Sequence, residues 1–363
     1  PRLSKSEIHT IAAWVDEGAP EGNPKALPPQ PHFSGGWMDG QPDAVFSMIR
    51  EQTVPARGRG WYEYFEFPTH FKHDEWVRAV QILPGNPRVV NHASLGFYVP
   101  TPGFTYKNAG ERLNRYMYKV GTLKFIRADA PVVNDGCSSP WGGGLPRHKT
   151  GPSNQGRGGG VFTYLPGQPA EYFRQGYALR IPAGAVLTLQ VHYMPRGRIE
   201  KDRTQIGLWL ARELVKHEVK LVEIPNMLFK IPAGAPDFRV SDCYKFPESV
   251  QLLSYVVHMH YRGKDATVYA IYPDGKQETL LSVPHYSFNW QLQYMLKHPK
   301  PIPKGTVIKT VTHFDNSRAN PLNPDPTKTI RWGEPSDSEM DGTYITFTDN
   351  SSRRTGRMIS ATR

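Results

Sequence analysis

A chain of 363 residues with 33 glycines, 34 prolines and 12% aromatic residues exceeds the usual single-domain size and has the make-up of many short strands joined by turns, an all-β class. Its net charge of +11 is scattered, with Arg353-Arg354 the densest pairing, so a basic surface and no nucleic-acid partner is expected; with no apolar run of about 18 residues, no membrane span is expected either. Two cysteines, Cys137 and Cys243, are too few for a cysteine-rich metal site.

In chain order, Ser4-Lys5-Ser6-Glu7 is a capping box that opens a short helix with Ile8, Ile11, Ala12 and Val15 on its apolar face, and Gly18 stops it. A Pro-rich linker follows through Pro31. The chain begins at Pro1 rather than Met, which implies that something upstream was removed or not included. From Phe33 to about Arg212, strand-like runs at 77–83, 88–93, 185–193 and 206–210 alternate with turns. Between the second and third lies a Gly- and Ser-rich excursion, 134–160, whose glycine triplets lack the strand and helix flanks of a phosphate loop.

A second run of strands begins near Val219. Runs at 266–272 and 277–281 flank Pro273-Asp274-Gly275, a hairpin turn, and 306–313 is a further strand. Ile181-Pro182-Ala183-Gly184 recurs as Ile231-Pro232-Ala233-Gly234, with Ile302-Pro303-Lys304-Gly305 close behind. Each reads as a turn beside a strand, which supports repeated β-sandwich construction.

The stretch 255–263 is β-branched and aromatic and reads as a strand, where side chains alternate faces. His258 and His260 therefore share a side and are spaced to chelate one metal ion, while Val257, Met259 and Tyr261 face the other way. Imidazole suits Zn, Cu, Fe and Ni alike, so the pair does not name the metal. The plain alternative is two histidines side by side on a polar sheet face.

Downstream stand Trp332-Gly333-Glu334 and Ser338-Glu339-Met340, and upstream Asn91-His92 and Leu189-Gln190-Val191-His192-Tyr193. With His258-Met259-His260-Tyr261-Arg262-Gly263-Lys264, Phe288-Asn289-Trp290-Gln291 and Asp315-Asn316-Ser317, in that order, the chain resembles the copper type II, ascorbate-dependent monooxygenases, the family of peptidylglycine α-hydroxylating monooxygenase and dopamine β-monooxygenase. Residues 33–347 carry the resemblance, most closely to bacterial members that follow a cytochrome-like segment. Trp14-Val15-Asp16-Glu17-Gly18-Ala19-Pro20 likewise resembles the last helix of small c-type cytochromes, although a helix packed on the main body explains it equally. No Cys-x-x-Cys-His occurs, so no c-type haem attaches to this chain.

The resemblance implies two tandem antiparallel, jelly-roll-like β-sandwiches facing each other over a solvent-filled cleft. The expected domains are 1–32 (cytochrome c-like helix and linker), 33–212 and 213–350 (the sandwiches) and 351–363 (a basic tail). It also implies two coppers, one per sandwich. His258, His260 and Met340 match the oxygen-binding site, and a thioether suits Cu(I). His92 and His192 match the electron-transfer site, where Asn91 replaces a third ligand and weakens or empties it. His70, His73 and His148 are the other histidines that could swing in. Tyr344 matches a substrate-binding tyrosine, whereas Val256 stands where peptide-amidating members carry an arginine, so a peptidylglycine substrate is not expected.

The expected function is an exported, periplasmic or extracellular bacterial monooxygenase that hydroxylates a small organic substrate with O2 and an external reductant, ascorbate or a c-type cytochrome partner or upstream domain. The alternative is a degenerate copper-binding or structural subunit of a cell-surface or haem-protein assembly. Export would permit a Cys137–Cys243 bridge tying the Gly-rich loop to the second sandwich; two buried free thiols are equally compatible with the count.

Overall fold

The capping box is realised in the computed structural model, which describes residues 3–27, 36–58, 60–100, 132–138, 158–166, 170–333 and 335–349. In helix α1 (Lys5–Asp16) the Ser4 hydroxyl accepts from the Glu7 N–H at 3.2 Å, the Glu7 carboxylate accepts from the Ser4 N–H at 2.6 Å, and Gly18 follows with φ of 85°. Residues 1–36 form one unit and residues 37–363 another. The expected tail, 351–363, most of the 134–160 excursion, His148 and Glu334 lie outside the described residues.

The first half of the main unit supplies β1 (Ala44–Ser47), β2 (Gln52–Val54), β3 (Trp61–Pro68), β4 (Glu75–Leu83), β5 (Val90–Tyr98) and β6 (Gly158–Tyr164). It continues with β7 (Glu171–Tyr172), β8 (Tyr177–Ile181), β9 (Val186–Tyr193), β10 (Glu200–Asp202) and β11 (Gln205–Leu210). The second half supplies β12 (His217–Pro225), β13 (Lys230–Ile231), β14 (Phe238–Lys245), β15 (Val250–His258) and β16 (Gly263–Ile271). The last are β17 (Gln277–Val283), β18 (Gln293–Ile302), β19 (Val307–Phe314), β20 (Ile330–Arg331) and β21 (Gly342–Asp349).

Alternation along these strands builds two cores, as expected of tandem sandwiches. In the first, Leu187, Leu189, Val191 and Tyr193 of β9 meet Phe65 and Phe67 of β3 and Val77, Val80 and Ile82 of β4. In the second, Tyr255 and Val257 of β15 meet Val268 of β16, Ile308 of β19 and Phe347 of β21. The two four-stranded sheets are β3-β9-β5-β6 and β14-β19-β16-β17. The strands pair antiparallel, as expected, except where the halves join: a single sheet runs β1-β11-β4-β8-β12-β21-β15-β18 through both halves, and its β8–β12 junction is parallel. Tyr177 pairs with His217, Ala178 with Glu218 and Leu179 with Val219.

The recurring Ile-Pro-x-Gly stretches are one turn used three times. Ala185 N–H donates to Pro182 O at 3.1 Å, Ala235 to Pro232 at 3.4 Å and Thr306 to Pro303 at 3.2 Å. Gly184, Gly234 and Gly305 take φ of 67°, 71° and 88°, the left-handed region that only glycine enters without strain.

Cys137 and Cys243 are bonded, with Cα atoms 4.9 Å apart and a separation of 106 in sequence. The bridge fastens segment 132–138 to β14, where Ser241 N–H also donates to Asn134 O at 2.8 Å and Ser241 Oγ to Asp135 Oδ1 at 2.6 Å. Replacing both cysteines by serine is expected to lower the unfolding free energy by about 2–5 kcal/mol, through loss of a cross-link that closes a long loop. Urea denaturation of the oxidised protein and the double variant measures this, and coincident midpoints would contradict it.

Candidate metal centre

The candidate residues reach one place because two strands carry β-bulges. Between β5 and β9 the register shifts between Val90 and His92, so Val90 and Ala93 face the core while His92 pairs with His192 on the opposite face. In β15 the shift lies between Leu252 and Ser254, which leaves Tyr255 and Val257 in the core and turns Ser254, Val256 and His258 outward. The two outward faces, from β3-β9-β5 and β12-β21-β15, enclose a cavity of about 430 Å³.

His92, His258, Met340 and Tyr344 line this cavity; His192 and His260 lie behind them, 2% and 0% exposed. His260 is not on the strand, as its sequence spacing implies, because β15 ends at His258. It still falls beside its partner, with ring centroids 5.2 Å apart. The expectation of a solvent-filled gap between the histidine pairs is corrected: the His92 and His258 rings meet edge to face at 5.9 Å. Tyr62 stacks on His192 at 4.4 Å, and His192 meets His92 at 4.9 Å, so the rings form a continuous run. His70 and His73 are exposed beyond the far end of β3 and take no part.

Burial depresses all four imidazoles, His192 to about 4 and the others below the usual histidine value, so near pH 7 they are neutral and keep a lone pair. Two of their nitrogens, His192 Nδ1 and His260 Nε2, are buried with no hydrogen-bond partner. Buried polar atoms are rarely left so, and a lone pair of this kind is what a soft metal ion satisfies. His258 Nδ1 lies 2.7 Å from Gln291 Oε1, and His92 Nδ1 lies 3.0 Å from Asn91 Oδ1. Among the described residues no three His, Cys, Asp or Glu side chains converge to hold one metal ion. A metal here therefore rests on imidazole pairs completed by another donor type, and the Met340 thioether is on the same cavity wall as His258.

Motif residues without an obvious part in the sequence prove to be supports. The buried Glu339 carboxylate accepts from the backbone N–H groups of His260 and Arg262, each at 2.7 Å, and from that of Met340 at 3.3 Å. It thereby fastens the loop after β15 to the segment carrying Met340. Arg262, also buried, donates from Nε to Asn316 Oδ1 at 2.8 Å and from Nη1 to Asp337 O at 3.0 Å. Tyr344 shares a hydrogen bond with Glu223, and burial raises its hydroxyl well above the usual tyrosine value.

The charged side chains on the cavity wall, apart from histidine, are Glu171 and Glu223, and no Lys or Arg lines it among the described residues. Burial pushes the Glu171 carboxyl up to about 7, and Gln293 Nε2 donates to it at 2.8 Å. Because its folded value lies above the unfolded one, Glu171 contributes stability that is full below about pH 4.5 and is lost as pH rises through about 7. Glu171→Gln is therefore expected to leave stability unchanged at pH 4 and to raise it by about 3 kcal/mol at pH 8. Urea titrations of the chelator-treated protein at both pH values check this, and an equal effect at both would show that no titration is involved.

Residues 238–357 match the copper type II ascorbate-dependent monooxygenase, C-terminal domain, about a third of the chain. No curated protein matches it. Among solved structures it is similar to the infectious bursal disease virus VP2 subviral particle, at 11% identity over 87% of this chain and 74% of that chain, with a TM-score of 0.21. The infectious bursal disease virus Gx strain structure is similar at 11% identity over 86% and 73%, with a TM-score of 0.21. Neither bears on function.

Proposed function

From the premise that this chain carries the C-terminal domain of the copper type II ascorbate-dependent monooxygenase family, we propose that it is an exported copper-dependent monooxygenase acting on a small organic molecule that lacks a carboxylate. The observation that carries the reading is the partnerless, buried His260 Nε2 beside His258, with Met340 on the same cavity. His258, His260 and Met340 would hold one copper; His92 and His192 would hold a second, weaker one. Bound copper supplies one-electron chemistry and activates dioxygen.

The chain's own residues do the rest. Glu339 holds the backbones of His260 and Met340 in fixed relation, a support that a ligand set needs. Val256 and the wall around it, with no Lys or Arg among the described residues, offer no cation to a carboxylate, which would go unpaired there, while Glu171 and Glu223 suit a neutral or cationic substrate. Tyr344 faces that space with its hydroxyl tied to Glu223, which fits a positioning contact. The disulfide is in keeping with export to an oxidising compartment, periplasmic or extracellular, where ascorbate or a c-type cytochrome would be the reductant.

Titration with a Cu(I) chelator as competitor tests the assignment. One equivalent is expected to bind firmly and the second weakly. Met340→Ala should weaken the firm site by at least the roughly 10- to 100-fold that loss of an outer support costs. Asn91→His should raise the stoichiometry towards two and increase oxygen uptake with ascorbate. No copper bound at either site would return the chain to the structural-subunit reading.

A further inference from the structure

The connection between β17 and β18 contains Phe288-Asn289-Trp290-Gln291, a motif whose purpose the sequence leaves open. It is a turn closed by Trp290 N–H donating to Ser287 O at 3.0 Å. Two of its side chains address His258 and His260. The Phe288 ring stands edge-on to His260 at 5.8 Å and 90°, and Gln291 Oε1 lies 2.7 Å from His258 Nδ1.

The orientation of the Gln291 amide follows from its second contact. Gln291 Nε2 donates to the Phe288 backbone carbonyl at 3.0 Å, and a carbonyl can only accept. The amide oxygen is therefore the atom that faces His258, and an oxygen there requires a proton on Nδ1. In a neutral imidazole one nitrogen carries the proton and the other the lone pair, so Nε2 becomes the lone-pair atom of His258. On the opposite wall Asn91 Oδ1 stands in the same relation to His92 Nδ1, at 3.0 Å.

We propose that Gln291 is a positioning residue: its amide oxygen fixes His258 as the Nδ1–H tautomer and so sets the strength with which Nε2 binds a metal ion at the cavity. The metal-binding half of this rests on the copper reading above; the tautomer half does not. The test uses the chelator-treated, ¹⁵N-labelled protein, with His258 signals identified by their loss in His258→Asn. Long-range ¹H–¹⁵N correlation reports which ring nitrogen is protonated. The unmodified protein is expected to show a single Nδ1–H tautomer at His258, and Gln291→Ala a mixture. Gln291→Glu, which keeps an accepting oxygen, should restore the single tautomer. Competition with a Cu(I) chelator should then give Gln291→Ala an affinity about 10- to 100-fold weaker, with Gln291→Glu recovering most of the loss. An Nε2–H tautomer in the unmodified protein, or an unchanged His258 in Gln291→Ala, overturns the proposal. If the tautomers behave as stated and the unmodified protein takes up no Cu(I), the copper reading fails and the assignment of Gln291 to the tautomer stands.

Discussion

Everything around the cavity depends on four neutral imidazoles packed together at its walls, three of them buried. A buried nitrogen with no partner costs about 1–3 kcal/mol, and two of the four histidines carry one. The surrounding residues make that arrangement durable. Val90, Ala93, Tyr255 and Val257 bury the opposite faces of the same strands, so the histidines cannot turn away without exposing the cores. Glu339 and Arg262, both buried, turn the irregular loop after β15 into a fixed support by satisfying or using its backbone groups.

The two walls are built by the same means. Each has a strand with a bulge that re-aims a histidine, and each sets a side-chain amide oxygen against that histidine's Nδ1. Asn91 therefore has a definite neighbour. In the sequence it is a missing imidazole; in the structure its carboxamide occupies the place where an outer partner of His92 belongs, which is the relation Gln291 has to His258.

Local chemistry was legible in the sequence. The capping box at Ser4, the three Pro-x-Gly turns and the Pro273-Asp274-Gly275 hairpin each depend on a few adjacent residues, and each forms where its pattern stands. The nearness of His258 to His260 was legible too, although the strand stops between them. Non-local features were not. Nothing in residues 177–179 and 217–219 announces that they pair in parallel, and no spacing rule locates a bulge at Asn91 or Leu253. The contact of His92 with His258 follows from how two sheets stack, so the motifs predicted a gap where the rings meet. Two cysteines likewise left the bridge and free thiols equally open until their Cα atoms were found 4.9 Å apart.

The parallel β8–β12 junction has a mechanical consequence. Because main-chain hydrogen bonds run from one sandwich into the other, the halves behave less like two hinged lids than like one bent plate. Arg174 reinforces the seam by donating to the carbonyls of Leu296 and Lys297 on β18. Swinging the sandwiches apart would mean breaking the β8–β12 pairing, and beside the cavity Trp290, Leu292 and Met295 border a second hollow that shares Leu165, Glu171, Gln291 and Gln293 with the inner one.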